Sequence, residues 1–238
     1  MSDLSRKVLE NALRHANEYL ESVDGAPVAA RADVDSLRKR LGRPLPDHGT
    51  DAEKVIDDLV ADVSGGLHSI AGGRFFGWVI GGSLPSALAA DWLTSAWDQN
   101  AHTFSTGPAA SVVEEVAGEW LKQLFGLPRT ASFALVTGCQ MAHATCLAAA
   151  RHSVLAHKGW NVEAQGLYGA PPVRILSSAM MHGSVPRALR LLGMGTAHLR
   201  TVACDSEGRL DPVALETALV EAGDGPVIVV LQAGDVNT

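Results

Sequence analysis

An α/β fold, with a mostly parallel sheet covered by helices on both faces and a helical arm ahead of it, is what this sequence predicts. After Pro128, apolar runs of strand length alternate with helical segments across short connectors, which is the pattern of βαβ units. Before Pro128 the apolar spacing is helical and no strand period appears.

Taken in order, Leu4, Val8, Leu9, Leu13, Ala16 and Leu20 recur at helical spacing. The stretch from Pro27 to Pro46 is basic, has little apolar periodicity and is expected to be an extended arm. Asp51 to Leu67 returns to a helix, with Val55, Ile56, Leu59, Val60 and Val63 on one face and Gly65-Gly66 near its end. A glycine-rich turn at Ala71 to Arg74 leads into Phe75 to Ile80, a run too apolar for a surface loop. Helices are expected over Pro85 to Trp97 and Ala109 to Phe125, with Trp92, Trp97 and Trp120 as large buried anchors. The strands are expected at Phe133 to Val136, Val173 to Leu176, His198 to Val202 and Val227 to Leu231. The helices between them are expected at about Gln140 to His157, Ser184 to Leu192 and Asp211 to Ala222.

Composition narrows the function classes. A chain of 238 residues with 47% hydrophobic content can bury a sizeable core. Its net charge of −7, with no Lys/Arg stripe, argues against a nucleic-acid partner. No run of 18 apolar residues or signal-peptide core is present, so no membrane partner is expected. Cys139, Cys146 and Cys204 fit neither a disulfide framework nor a zinc site, which points to a reduced, cytoplasmic chain without a metal.

Two segments could carry chemistry. In Leu135-Val136-Thr137-Gly138-Cys139-Gln140-Met141-Ala142 an apolar run enters a glycine and then a helix. A glycine lets backbone approach an anion, and the free N–H groups and dipole of the helix start favour one, with Thr137, Cys139 and Gln140 able to add side-chain bonds. The same junction also serves many α/β proteins as a plain connector. The second segment is Met180-Met181-His182-Gly183-Ser184-Val185-Pro186, after one strand and before a helix. A histidine there lies on the sheet edge that receives ligands, where its ring can stack on a planar heterocycle or exchange a proton. Alternatively it bonds only to neighbouring backbone. His143 reads as a packing residue.

Read in order, Phe75-Phe76-Gly77-Trp78, Gly107-Pro108-Ala109-Ala110-Ser111-Val112-Val113-Glu114 with Trp120-Leu121, Thr137-Gly138-Cys139-Gln140, His182-Gly183-Ser184-Val185, the segment Asp205 to Ala218, and Gln232 to Thr238 resemble successive landmarks of the group II pyridoxal-phosphate-dependent amino-acid decarboxylases, which include the aromatic-L-amino-acid and glutamate decarboxylases. The resemblance runs from about residue 50 to Thr238 and lies in the order of the landmarks.

The resemblance implies an aspartate-aminotransferase-like large domain of pyridoxal-phosphate fold type I, incomplete in this chain. Residues 1–108 would form a helical arm and dimerisation segment, and residues 109–238 the first part of the cofactor-binding domain. It implies decarboxylation of an L-amino acid to its amine and CO2 with pyridoxal 5'-phosphate as cofactor. Gly138, Cys139 and Gln140 would bind its phosphate, His182 would stack on its ring as the catalytic residue, and Asn237 would lie beside it. Trp78, Val79, His102 and Phe104 would line the substrate pocket, and the protein would be a homodimer. Cys139-Gln140 stands where many members carry small hydroxyl-bearing residues. The cofactor lysine and the aspartate at the pyridine nitrogen are expected downstream of Thr238, so this chain alone is expected to be inactive; His157-Lys158 sits in a helix-end context instead. A carbon–carbon lyase, an aminotransferase or a non-catalytic truncated α/β domain are the alternatives.

Overall fold

The computed structural model describes residues 3–234. Two compact units divide between Asp98 and Gln99, ahead of the 108/109 division read from the sequence.

The first unit holds helices α1 (Asp3–Ser22), α2 (Val34–Leu41), α3 (Ala52–Val63) and α4 (Pro85–Trp97). The arm expected to be extended contains α2. Asp33 caps it by accepting from the Ser36 amide, and Arg38, Lys39 and Arg40 in its last turn complement the helix dipole. Local capping chemistry therefore supplies what apolar periodicity does not. Gly66 allows α2 to pack closely on α3, since a Cβ there would stand 2.7 Å from Leu37 Cδ2. Asp51 caps α3 through the amides of Glu53 and Lys54.

Polar contacts join α1 to α3. Asn11 Nδ2 donates to Asp57 Oδ1 at 2.9 Å and His15 Nε2 to the same oxygen at 2.7 Å. The His15 hydrogen bond first, then that of Asn11, holds the Asp57 carboxyl below the ordinary carboxylate value. A group with a depressed folded pKa contributes stability above its unfolded value and loses it as pH falls through the folded one. The Tm gap between wild type and Asp57→Asn, open at neutral pH, is therefore expected to close below the ordinary carboxylate range. A gap unchanged in acid would assign the loss to something other than the carboxylate charge.

None of α1 to α4 has a buried residue. Trp92 and Trp97 are 42% and 63% exposed, contrary to their expected role as buried anchors. Aromatic size favours burial only where a second layer covers the helix. The apolar run after Phe75 is likewise a loop, with Phe76, Trp78 and Val79 exposed. Trp78 and Val79 take φ of 66° and 56°, a left-handed conformation costly for any side chain and most of all for a β-branched one. Between α1 and α3 an open hollow of about 770 Å³ is lined by Ala16, Tyr19, Ile56, Val60 and Leu67 among others.

The second unit contains α5 (Pro108–Leu124), α6 (Cys139–Ala156), α7 (Val162–Gln165), β1 (Arg174–Ser178), α8 (Ser184–Leu191), β2 (Leu199–Val202), α9 (Pro212–Ala222) and β3 (Val227–Val230). The strands form one parallel sheet in the order β2-β1-β3, with Ile175 opposite Leu199 on one side and Ile228 on the other. Because side chains alternate along a strand, β1 feeds two cores. Ile175 joins Leu147 and Leu155 of α6 and Ala188 and Leu189 of α8, while Leu176 joins Val202 and Ala218 of α9. Helices thus cover both faces of the sheet, as its apolar strands require.

Two expectations fail here. Trp120 is 68% exposed, and Phe133 to Val136 forms no strand, because no second strand lies beside it to complete a ladder among the described residues. The Phe133 ring instead lies on α5 over Gly118, where a Cβ would stand 2.1 Å from Cζ. Lys122 Nζ approaches the same ring, 5.9 Å from its centroid, and donates to the carbonyls of Arg129 and Ala131. Gly118→Ala is expected to destabilise the fold by about 1–3 kcal/mol despite better helix propensity. Urea unfolding with an unchanged midpoint would show that the ring moves aside freely.

Candidate functional site

The strand order places a switch at β1: the chain leaves β1 for β2 on one side, and β3 lies on the other. In open α/β sheets the crevice outside the strand carboxyl ends at such a switch receives ligands. After β1 ends at Ser178, the chain turns through Ala179 to Gly183 and enters α8 at Ser184.

The start of α6 lies beside the start of α8, as the Gln140 and His143 side chains show. Gln140 Nε2 donates to the Ser184 carbonyl at 3.4 Å, and His143 Nδ1 stands 2.8 Å from Ser184 Oγ. His182 Nδ1 stands 2.7 Å from that same hydroxyl and accepts from the Ser184 amide at 3.2 Å. Ser184 is 3% exposed, whereas His182 is exposed. His182 Nδ1 is thus bonded within its own loop, the backbone bonding expected of it as one alternative, while the residue is exposed to solvent. His143 does more than pack, contrary to expectation. Its three-residue offset from Gln140 puts both on one helical face, a clue present in the sequence.

Gly138 precedes α6 with φ 96° and ψ 173°, a conformation essentially confined to glycine. A Cβ added there would meet nothing within 4 Å, so open space lies before the helix. No side chain caps α6. The Gly138 carbonyl takes the Met141 and Ala142 amides, and the amides of Cys139 and Gln140 precede the first intrahelical bond. This start can hold an anion with backbone donors and the helix dipole. Gln140 Oε1 is buried without a partner; as an acceptor it suits a donor rather than a phosphate oxygen.

Gly138, Cys139, Gln140 and His182 therefore share one neighbourhood. Trp78 and Val79 belong to the first unit. His102 and Phe104 lie in the loop before α5, where the His102 amide donates to Asn100 Oδ1; no hydrogen bond joins them to Gly138 or His182 among the described residues. Asn237 lies outside the described residues. Among those described, no group of three or more His, Cys, Asp or Glu is placed to hold a metal, and no helix is long and apolar enough to cross a membrane. Of the second unit's lysines, Lys122 is buried against backbone carbonyls, and Lys158 follows the far end of α6, roughly 27 Å along the helix from Gly138 at 1.5 Å per residue.

Sheet order, glycine turn and histidine together define the second unit as an α/β domain of the class that receives ligands at the carboxyl edge of its strands. The chain belongs to the pyridoxal-dependent decarboxylases, since residues 35–238 match the pyridoxal-dependent decarboxylase conserved domain. It is 26% identical over 223 residues to an aromatic-L-amino-acid decarboxylase of Bacillus atrophaeus, covering 92% of this chain and 44% of that protein. It is 24% identical over 250 residues to tryptophan decarboxylase 1 of Oryza sativa subsp. japonica, covering 100% and 48%. The chain thus spans about half the length of these curated relatives. In fold it matches mouse CSAD with a TM-score of 0.83 at 22% identity over 94% of this chain and 48% of that one. The Oryza sativa TDC structure with PLP gives 0.84 at 25% over 96% and 51%. The expected α/β fold of this family is what the chain adopts.

Proposed function

We propose that this chain supplies the phosphate-holding and ring-packing part of an enzyme that decarboxylates an L-amino acid to its amine and CO2. One observation carries the reading: in a pyridoxal-dependent decarboxylase chain, the uncapped α6 start after Gly138 and the exposed His182 are linked through Ser184 at the start of α8. The open space before Gly138 and the free first-turn amides fit a phosphorylated cofactor. The amides of Cys139 and Gln140 would hold the phosphate; the Gln140 side chain is engaged with α8, so backbone does this work. His182 would pack on the pyridine ring. When bound, pyridoxal phosphate supplies the electron sink for the bond to the departing carboxylate. The protein sets geometry by orienting the substrate and excluding water.

An aromatic L-amino acid is the proposed substrate, supported by the relatives named for aromatic and tryptophan decarboxylation. The division of labour is residues 1–108 as dimerisation arm and 109–238 as cofactor domain. Exposed Leu9, Leu13, Val55, Leu59 and Trp92 support a homodimer, for which light scattering is expected to give twice the chain mass. The unpaired thiols of Cys139, Cys146 and Cys204 support a cytoplasmic location, which cell fractionation checks. The test of function supplies the complete coding sequence's product with pyridoxal phosphate and L-tryptophan, L-phenylalanine or L-glutamate, and measures CO2 and amine. Amine with stoichiometric CO2 from an aromatic substrate is expected. A keto acid without CO2 would make it an aminotransferase, and turnover of glutamate alone would overturn the substrate.

A further inference from the structure

We propose that His143 is a positioning residue that fixes the tautomer and ring orientation of His182 through the Ser184 hydroxyl, an inference resting on the reading of His182 as the ring-packing group. The hydrogen-bond chain itself assigns the protons. The Ser184 amide points its N–H at His182 Nδ1 from 3.2 Å, so that nitrogen offers a lone pair rather than a proton. Ser184 Oγ lies 2.7 Å from the same nitrogen and 2.8 Å from His143 Nδ1. A hydroxyl has one proton. Were it given to His143, His182 Nδ1 would have to donate to Oγ while facing the amide proton, and two protons would occupy one gap. The hydroxyl therefore donates to His182, and His143 Nδ1–H donates to the hydroxyl.

The consequence reaches the exposed edge. With Nδ1 accepting, a neutral His182 carries its proton on Nε2, and two donors on one edge restrict rotation of the ring. A neutral face packs on a pyridinium without like-charge repulsion, and Nε2–H is the donor left for the ligand. Ser184 is buried, so water competes little for the link. The link spans α6 and α8, so the packing of these helices is what aims the His182 ring.

Selective ¹⁵N-histidine NMR of the full chain, at a pH where both rings are neutral, tests this without activity. His143 is expected as the Nδ1–H form, the minor tautomer of free histidine, and His182 as Nε2–H. Ser184→Ala is expected to return His143 to the Nε2–H form. Finding His143 as Nε2–H in the wild type overturns the proposal. Pyridoxal phosphate titration of the complete protein gives a second readout. His143→Leu is expected to weaken binding about fivefold, the worth of one net hydrogen bond, while His143→Asn, whose amide N–H replaces Nδ1–H, restores it. Equal losses in both variants would mean that His143 is only structural. If His182→Ala binds the cofactor as tightly as wild type, the ring-packing reading fails, and the tautomer result stands apart from it.

Discussion

Gly138→Ala is expected to weaken pyridoxal phosphate binding by about ten- to a hundredfold, because the backbone that presents the α6 amides is one that a side chain resists. At φ 96° and ψ 173° an alanine bears strain of about 1–3 kcal/mol, and each 1.4 kcal/mol is about a factor of ten in affinity. The Cβ itself would touch nothing, so packing contributes none of the penalty. The strain is relieved by moving the turn, and the amides of Cys139 and Gln140 move with it. Gly223→Ala, at the end of α9 with φ 59°, is the control: it is expected to lower stability and leave affinity intact. An absorbance titration in which Gly138→Ala binds like wild type would remove the α6 start from the phosphate site.

The candidate site was legible in the sequence as far as it depends on local chemistry. Gly138 and His182 each stand at a junction between an apolar run and a helix, and such junctions show in one dimension. The role of Ser184 was not legible. It arises because residues 41 apart in the chain meet when α6 packs on α8, and no local pattern encodes that meeting. The same distinction governs the fold. Apolar runs located β1, β2 and β3, because each has a neighbouring strand to pair with. Phe133 to Val136 has an equal apolar run but no neighbouring strand among the described residues, so it makes no ladder, and the Phe133 ring finds Gly118 instead.

Trp92, Trp97 and Trp120 show the corresponding limit for helices. Periodicity placed them on helices, yet burial depends on what covers the helix, and the described residues leave all three exposed. The apolar side chains left exposed on α1, α3 and α4 are the surface that the proposed homodimer would cover.

His182→Ala is expected to raise the Kd for pyridoxal phosphate about tenfold and to lower kcat about a hundredfold in the complete enzyme. Loss of a stacked ring removes about 0.5–1.5 kcal/mol beyond its buried area, and loss of a positioned proton donor costs about a factor of 100 or more. The fold should tolerate the change within about 0.5 kcal/mol, since the ring is exposed and His143 still bonds Ser184. His182→Phe separates the two effects, because it keeps a face for stacking and has no N–H. Affinity near wild type with kcat still depressed would assign the proton role to Nε2. Recovery of both would make His182 a packing surface alone, whereas a wild-type Kd and kcat in the alanine variant would remove this histidine from the site.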